Sequence, residues 1–430
     1  MSLGHGTKIV RDGLVCAFDV GNLKKSWKGK PASNYYPDIF TSSSMRAHTK
    51  HFWNGRNWVV NETYSHPGIE GPKGVYLGKV AKHTSGALNS TWSGNSYGYM
   101  LRDIAPQTSE QYYSQSCYVY VSEDCDITAV PSIIEGEAGG ETSLTSGEPS
   151  SYNMGVKGTW QRIGSRARSD GNTRYIPVYP RKTGVSDGSF SGFFMWGGAQ
   201  VEDGNDASPL VPSDNGVSTR SNTESLLDWT KNHTITVNNN YTSDNRLNFT
   251  QQSHNISLSP ALNLPIEKTL SFWIRSDRPL SVTDNWEIGF VNSGSTVGSM
   301  FGMMYGVGNC QDLGFWGYGS AYDLSVESAN NKWSSDGNWH QCVITMDTAR
   351  AVRVWIDGEQ KQWLKHSDYS TLAENVVMAT DTTNNFVINS RGVWNGGMTY
   401  VYIDQVLIYD KDLTEKEIKE NYEASRGRFQ

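Results

Sequence analysis

Short apolar or alternating runs, bounded by Gly, Asn, Asp and Pro, recur along the whole chain. Leu14 to Phe18 is an apolar run set between Asp12-Gly13 and Gly21-Asn22, the pattern of one buried strand. From Lys24 to about Asn34 the sequence turns basic and polar, with Gly29 and Pro31, so it reads as a connection and a seam. Between the seams, QSCYVYVS at 115–122, TWQRIGSRA at 159–167 and FFMWGGAQV at 193–201 predict strands, and the first alternates cleanly. The run EGEAGGETSLTSGEPSS has no apolar period and reads as a solvated loop. Pro209 to Arg220, with two prolines and Asp-Asn-Gly, marks a second seam.

Beyond it the strand signals become denser: TLSFWIRS, NWHQCVITMD, VRVWIDG, NNFVINS and YVYIDQVLIYD. The one helix predicted is DLTEKEIKENYEAS, where Thr414 and Glu417 form a capping box. Leu413 and Ile418 take the staple positions, and Gly427 is expected to stop the helix.

Composition supports an all-β reading. The 430 residues suit two or three domains, and 43 Gly, 22 Tyr and 15 Trp with only 19% charged residues fit short strands joined by tight turns. The net charge of −7 includes no Lys/Arg run able to track a phosphate backbone, so nucleic acid is not expected as a partner. No apolar stretch reaches the roughly 18 residues of a membrane span, and the opening MSLGHGTKIVRDG offers no signal-peptide core. Neither membrane insertion nor export by that route is expected. The five cysteines, odd in number and widely spaced, read as reduced, buried thiols.

NWHQCVITMDTARAVRVWIDG at 338–358 is a hairpin whose second strand ends in a hydrophobic-Asp-Gly turn. With TLSFWIRS before it and YIDQVLIYDKDLTEKEIKENY after it, the order resembles the laminin G-like branch of the concanavalin A-like lectin/glucanase superfamily, whose members are two-sheet jelly rolls. The terminal helix followed by SRGRF resembles the end of bacteriophage virion proteins that carry this module. In those proteins a strand like KIVRDGLVCAFDVGN runs soon into a Trp-containing turn; here the equivalent turn, LLDWTKNHTIT, comes at 226–236. The resemblance therefore implies two β-sandwich (jelly-roll) modules, one inserted into the other, with a short C-terminal helix. Residues 1–29 plus 216–430 form a laminin G-like sandwich and residues 30–215 an insert. Within the insert, GTWQRI and MWGGAQVEDGNDASPLVP resemble the closing strands of galactose-binding-like jelly rolls of phage tail and fibre proteins.

A sugar site needs flat aromatic faces beside polar groups that take hydroxyl hydrogen bonds. Loop-like sequence in the insert supplies Trp53, Arg56, Trp58, Trp92, Tyr97 and Tyr99. The C-terminal part supplies Trp286, Trp316, Tyr318 and Trp394. Ordinary packing or a subunit interface is the competing reading for all of them, and Trp160, Trp273, Trp339 and Trp355 are read as core outright. Laminin G-like modules often hold calcium at the sandwich rim. Asp284, Asp312 and Asp381 are the candidate ligands, against a preferred reading as solvated carboxylates.

The superfamily's glucanases carry Glu-x-Asp-x-x-Glu on one strand. YIDQVLIYD keeps Asp404 but has Tyr402 and Leu407 at the Glu positions, which argues against that reaction. Glu135, Glu137 and Glu141 sit in a Gly-rich loop without fixed geometry, and neither zinc spacing nor a nucleophile elbow is present. The expectation is a non-enzymatic virion component, multicopy or homo-oligomeric among other virion proteins, that contacts host-surface glycan. A purely structural or decoration protein is the alternative, and a depolymerase ranks third.

Overall fold

The computed structural model describes residues 8–22, 25–35, 58–61, 80–87, 90–92, 95–97, 102–103, 111–135, 149–168, 174–176, 180–185, 189–204, 206–211, 218–238, 240–241, 247–249, 255–276, 287–292, 303–305, 313–315, 324–325, 336–365, 376–377, 386–391 and 401–429. For 58–103, 133–135, 167–168, 174–176, 240–249, 276, 287–325, 365, 376–391 and 401 the description within those ranges is of the backbone alone. The chain is all-β, with antiparallel sheets and a short C-terminal helix, and divides into two compact units: 1–28 with 222–430, and 29–221.

In the first unit a nine-stranded and an eight-stranded sheet share one core. Phe18, Phe272, Ile344, Val354 and Val406 from the larger sheet pack with Ile235, Val237 and Ile256 from the smaller, all buried. The opening strand Leu14–Asp19 runs antiparallel to the closing strand Val401–Tyr409, from Leu14 opposite Tyr409 to Asp19 opposite Gln405. The expected pairing of this strand with the C-terminal sheet is thus present.

The other edge of the opening strand would expose a row of backbone groups, and the segment 226–233 covers it. The Asp228 carboxylate, 5% exposed, accepts from the Ala17 N–H at 2.9 Å, while the Trp229 N–H donates to Ala17 O at 2.7 Å. Asp228 also accepts from the N–H groups of Thr230, Asn232 and His233 and from the Thr230 hydroxyl, so one side chain both folds its own turn and fixes it to the strand. Val15 O accepts from Asn232 Nδ2, and Asp19 N–H donates to Ser26 Oγ. A polar edge satisfied in this way cannot recruit another strand.

Helix Glu415–Ser425 starts at the expected capping box: Thr414 accepts from Glu417 N–H and the Glu417 side chain accepts from Thr414 N–H. Leu413 and Ile418 are buried together on the outer face of the larger sheet with Ala17, Val343 and Leu407. The helix ends before Gly427, which lies inside a following 3-10 turn, Arg426–Arg428, and does not adopt the left-handed stop expected of it. That tightening brings Phe429 onto Trp273, ring centroids 4.2 Å apart and 14° from parallel, and Arg428 onto the buried Asp19 and Asp404.

The strand Ala351–Ile356, second of the Trp-His hairpin, turns back into Glu359–Lys361 at Asp357 and Gly358, with φ of 53° and 78°, the pair of left-handed residues that a tight twisted hairpin requires. Asp357 also accepts from Gln341 N–H and lies 2.7 Å from His340 Nδ1; His340 Nε2 is 3.2 Å from Asp336. Burial pushes the His340 imidazole down, but the hydrogen bond and charge of Asp357, with Asp336 beside it, reverse this and leave it raised. Burial raises Asp336, yet the Asn338 amide and His340 leave it lowered.

In the second unit the strands Trp160–Arg168, Tyr112–Val121, Ser189–Asp203, Val80–Ala87 and Trp58–Asn61 form a five-stranded sheet in that order. Its inner face buries Cys117, Val119, Val121, Ile163, Phe194 and Trp196. The four described cysteines, Cys16, Cys117, Cys125 and Cys342, are all buried thiols outside any disulfide. Chain entry and exit pair with each other: Ala32–Asn34 lies against Ser218–Arg220, and the Arg220 guanidinium donates to Lys30 O. Gly29 is required beneath it, since at φ 108° a Cβ would sit 2.5 Å from Arg220 Nη2.

The first unit is closed in the same manner, by Lys28 N–H donating to Ser225 O at 2.8 Å and a bridge between Trp27 and Leu226. Replacing 29–221 by a short Gly/Ser bridge should leave a sandwich that melts in one cooperative transition; loss of that transition would refute the unit's independence. Asp228→Ala should destabilise it by about 3 kcal/mol, because it strands several buried donors at once, and a urea shift equivalent to under ~1 kcal/mol would contradict this role.

A raised His340 contributes stability that is complete below its unfolded value of roughly 6.5 and is lost as pH rises through the folded value. The lowered Asp336 contributes above its ordinary value of 3.8, with that contribution lost as pH falls through its folded value. Thermal denaturation between pH 4 and 8 should therefore show wild type losing its advantage over His340→Gln on the alkaline side. The effect should be about 1 kcal/mol or less, because both carboxylates are partly in water. An advantage that grows with pH would contradict the assignment.

Candidate functional site

The strand Tyr112–Val121 separates two kinds of side chain. Cys117, Val119 and Val121 point into the core, and Tyr118 and Tyr120 occupy the opposite face half-buried. Register extends that face sideways: Trp160 and Met195 lie opposite Tyr120, and Arg162 lies opposite Tyr118. Tyr120 is 5.7 Å from the Trp160 ring and stacks on Phe193 at 6.1 Å and 16°. The Arg162 guanidinium stands 5.7 Å from the Tyr118 centroid. Burial first, and the charge of Glu123 next, raise the Tyr120 phenol above its ordinary value, so it is a neutral hydrogen-bonding group at physiological pH.

The other half of this face is polar and covered. A bulge between Gly197 and Gln200, with Gly198 at φ 61°, reverses the facing of the strand so that Gln200 and Glu202 join Ser114 and Ser116. The segment 206–211 lies over them: Ser208 N–H donates to Glu202, Val211 N–H to Gln200 Oε1, and Arg162 Nη2 to both Ser116 Oγ and Ser208 O. Leu210 of this segment packs on Met195. One sheet face thus ends as an aromatic row with an arginine already oriented at its border.

Trp160 was expected in the core and is instead half-buried in this row. Its strand-forming motif is evident in sequence, but which side of the sheet it faces depends on its pairing with Tyr120. Trp273, Trp339 and Trp355 are buried as expected.

Trp58 stands opposite His83, which pairs in turn with Phe194, so its register position belongs to the core face. Trp92 and Tyr97 lie in a separate three-stranded sheet, Ser90–Trp92, Asn95–Tyr97 and Arg181–Lys182. Register puts Trp92, Asn95, Tyr97 and Arg181 on one face of it. Trp53, Arg56, Tyr99, Trp286, Trp316, Tyr318 and Trp394 lie outside the described residues, as do Asp284, Asp312 and Asp381. Among the described residues no group of three His, Cys, Asp or Glu side chains is placed to hold a metal ion, and no helix is long and apolar enough to cross a membrane.

In the first unit two antiparallel sheets enclose one core, and in the larger the strand Lys268–Ser276 lies between the Trp-His hairpin and the closing strand. Residues 250–419 match the concanavalin A-like lectin/glucanases superfamily. This lectin/glucanase domain lies wholly within the first unit. No curated protein matches the chain.

Solved structures similar to it include the botulinum neurotoxin serotype D binding domain, at TM-score 0.32 and 18% identity over 47% of this chain and 49% of that one. Another is the binding domain of Paraclostridial Mosquitocidal Protein 1, at 0.34 and 17% over 46% and 49%. A Trypanosoma rangeli sialidase matches at 0.31 and 15% over 46% and 30%. The chain spans about half the length of the first two.

In the lectin/glucanase domain Asp404 is 2% exposed, 3.0 Å from Arg428 Nη2 and hydrogen-bonded by Gly21 N–H. Leu407 is buried, and Tyr402 lies under the Arg275 guanidinium at 4.7 Å. The carboxylate of the glucanase-like segment is thus engaged in an ion pair, and its flanking positions offer no second acid.

Proposed function

We propose that this chain is a non-catalytic, glycan-binding protein of a bacteriophage particle, in which the unit 29–221 reads the glycan and the lectin/glucanase domain helps to display it. The observation that carries the reading is the row Tyr118, Tyr120, Trp160 and Phe193, half-buried on one sheet face with Arg162 at its border. Flat rings of this kind stack on the apolar face of a pyranose, and an oriented guanidinium donates to ring hydroxyls. Trp92 and Tyr97, on one face of their small sheet with Arg181, are the further contacts proposed, and Trp53, Arg56 and Tyr99 join them from the sequence. The virion location rests on the resemblance of the C-terminal end to phage virion proteins and of the insert to jelly rolls of phage tail and fibre proteins. The proposal includes copies of the chain held among other virion proteins.

One stacked ring contributes on the order of 1 kcal/mol, so a single site binds in roughly the millimolar range and gains its useful strength from many copies. The full chain, coupled multivalently to beads, should bind a panel of neutral bacterial surface saccharides. Tyr120→Ala combined with Trp160→Ala should reduce that binding at least tenfold while melting close to wild type. If the parent does not bind, or the folded double variant binds equally well, the aromatic row is a contact between particle proteins. Labelling intact particles with antibody against the chain tests the location separately.

A further inference from the structure

A second surface, in the first unit, has a different chemistry. The turn that Asp228 organises forms one wall of a cavity of about 1020 Å³ beside the start of the opening strand. This is at the upper end of the ~300–1,000 Å³ typical of small-ligand sites. Its apolar lining comes from Leu14, Leu226 and the half-buried Trp229. Around it stand the exposed side chains of Lys8, Arg11, Lys25 and Lys231, none of which makes an ion pair among the described residues. Lys25 Nζ lies 5.9 Å from the Trp229 ring centroid. The carboxylate in the lining, Asp228, spends its hydrogen bonds on five internal donors, so the lining carries four cations against one anion.

We infer that this cavity binds an acidic saccharide, with Trp229 beneath a sugar ring and the Lys/Arg group around its carboxylate. Four cations converging on one recess raise the local potential for an anion even though the chain carries a net −7. The apolar lining distinguishes the occupant from a simple polyphosphate, which has no surface to place on an indole or a leucine. The overall negative charge disfavours a long nucleic acid. A uronic-acid unit combines both required features, an apolar ring face and a fixed negative charge. The site is on a different unit from the aromatic row and does not depend on that row binding anything.

The test uses the full chain and three probes, tetragalacturonate, its methyl ester and oligothymidylate, titrated calorimetrically at low and at raised salt. Tetragalacturonate should bind, weaken as salt rises, and bind at least tenfold more tightly than the methyl ester. Lys25→Gln with Lys231→Asn should weaken it at least tenfold; Asn is chosen because Lys231 sits at φ 64°, a conformation Asn tolerates. Trp229→Leu should weaken it too, and because that ring also packs on the core, the exposed lysine pair keeps the test decisive if this variant is unstable.

The Tyr120→Ala, Trp160→Ala protein should retain wild-type uronate binding, which separates this site from the glycan reading of the other unit. Tighter binding of oligothymidylate would overturn the inference, as would equal binding of the methyl ester, indifference to the lysine changes, or no binding of tetragalacturonate.

Discussion

The buried carboxylate of Asp228 is the constraint on which the first unit depends. An edge strand whose outward N–H and C=O groups are unpaired is unstable when partly buried and adhesive when exposed. Here one side chain and the turn it organises satisfy the central groups of that edge at Ala17. The same bonds fix the crossover from 226 to 233, and that crossover delivers the chain into the strand Thr234–Asn238 of the second sheet. A single acidic residue therefore joins the edge of one sheet to the beginning of the other. It also holds Trp229 against the outer core with Ile9 and Leu14.

The larger sheet is covered on both faces, by the second sheet on one and by the helix and tail on the other. The tail is bound by chemistry as well as by area. Arg428 joins Asp19 of the opening strand and Asp404 of the closing strand, both buried, and Trp273 donates to Ser425 Oγ at 3.0 Å beneath Phe429. Asn421 adds a link between Val10 N–H and the Tyr409 hydroxyl. Breaking one member of a buried ion-pair network leaves an uncompensated charge, so the two ends of the chain are interdependent.

What was legible in the sequence was whatever is set by neighbours along the chain. The Thr414–Glu417 box, the Asp357-Gly358 turn and the alternation of Cys117, Val119 and Val121 with Tyr118 and Tyr120 are all local patterns, and each has its structural counterpart. What was not legible depends on distant partners. The bulge at Gly198 changes which residues face outward, and Trp160 leaves the core only because it is paired with Tyr120. Asp228 read as part of a Trp-containing turn, since its acceptor role is completed by Ala17 more than two hundred residues earlier. The aromatic row was therefore visible as residues and invisible as a surface until the strands were in register.

The paired entry and exit of the inserted unit have a consequence for the order of events in synthesis. The opening strand leaves the ribosome long before its partner Val401–Tyr409, so the first unit cannot close until that distant strand has been made. A flexible connection of that length carries a closure entropy that rises by about 0.6 kcal/mol with each doubling. Once Ala32–Asn34 has zipped to Ser218–Arg220, the residues between them drop out of that connection and leave it about half as long. The inserted unit thus acts as an internal clasp that shortens the search its host must make, and the late-arriving C-terminal segment meets a strand already held near the turn that will cover it.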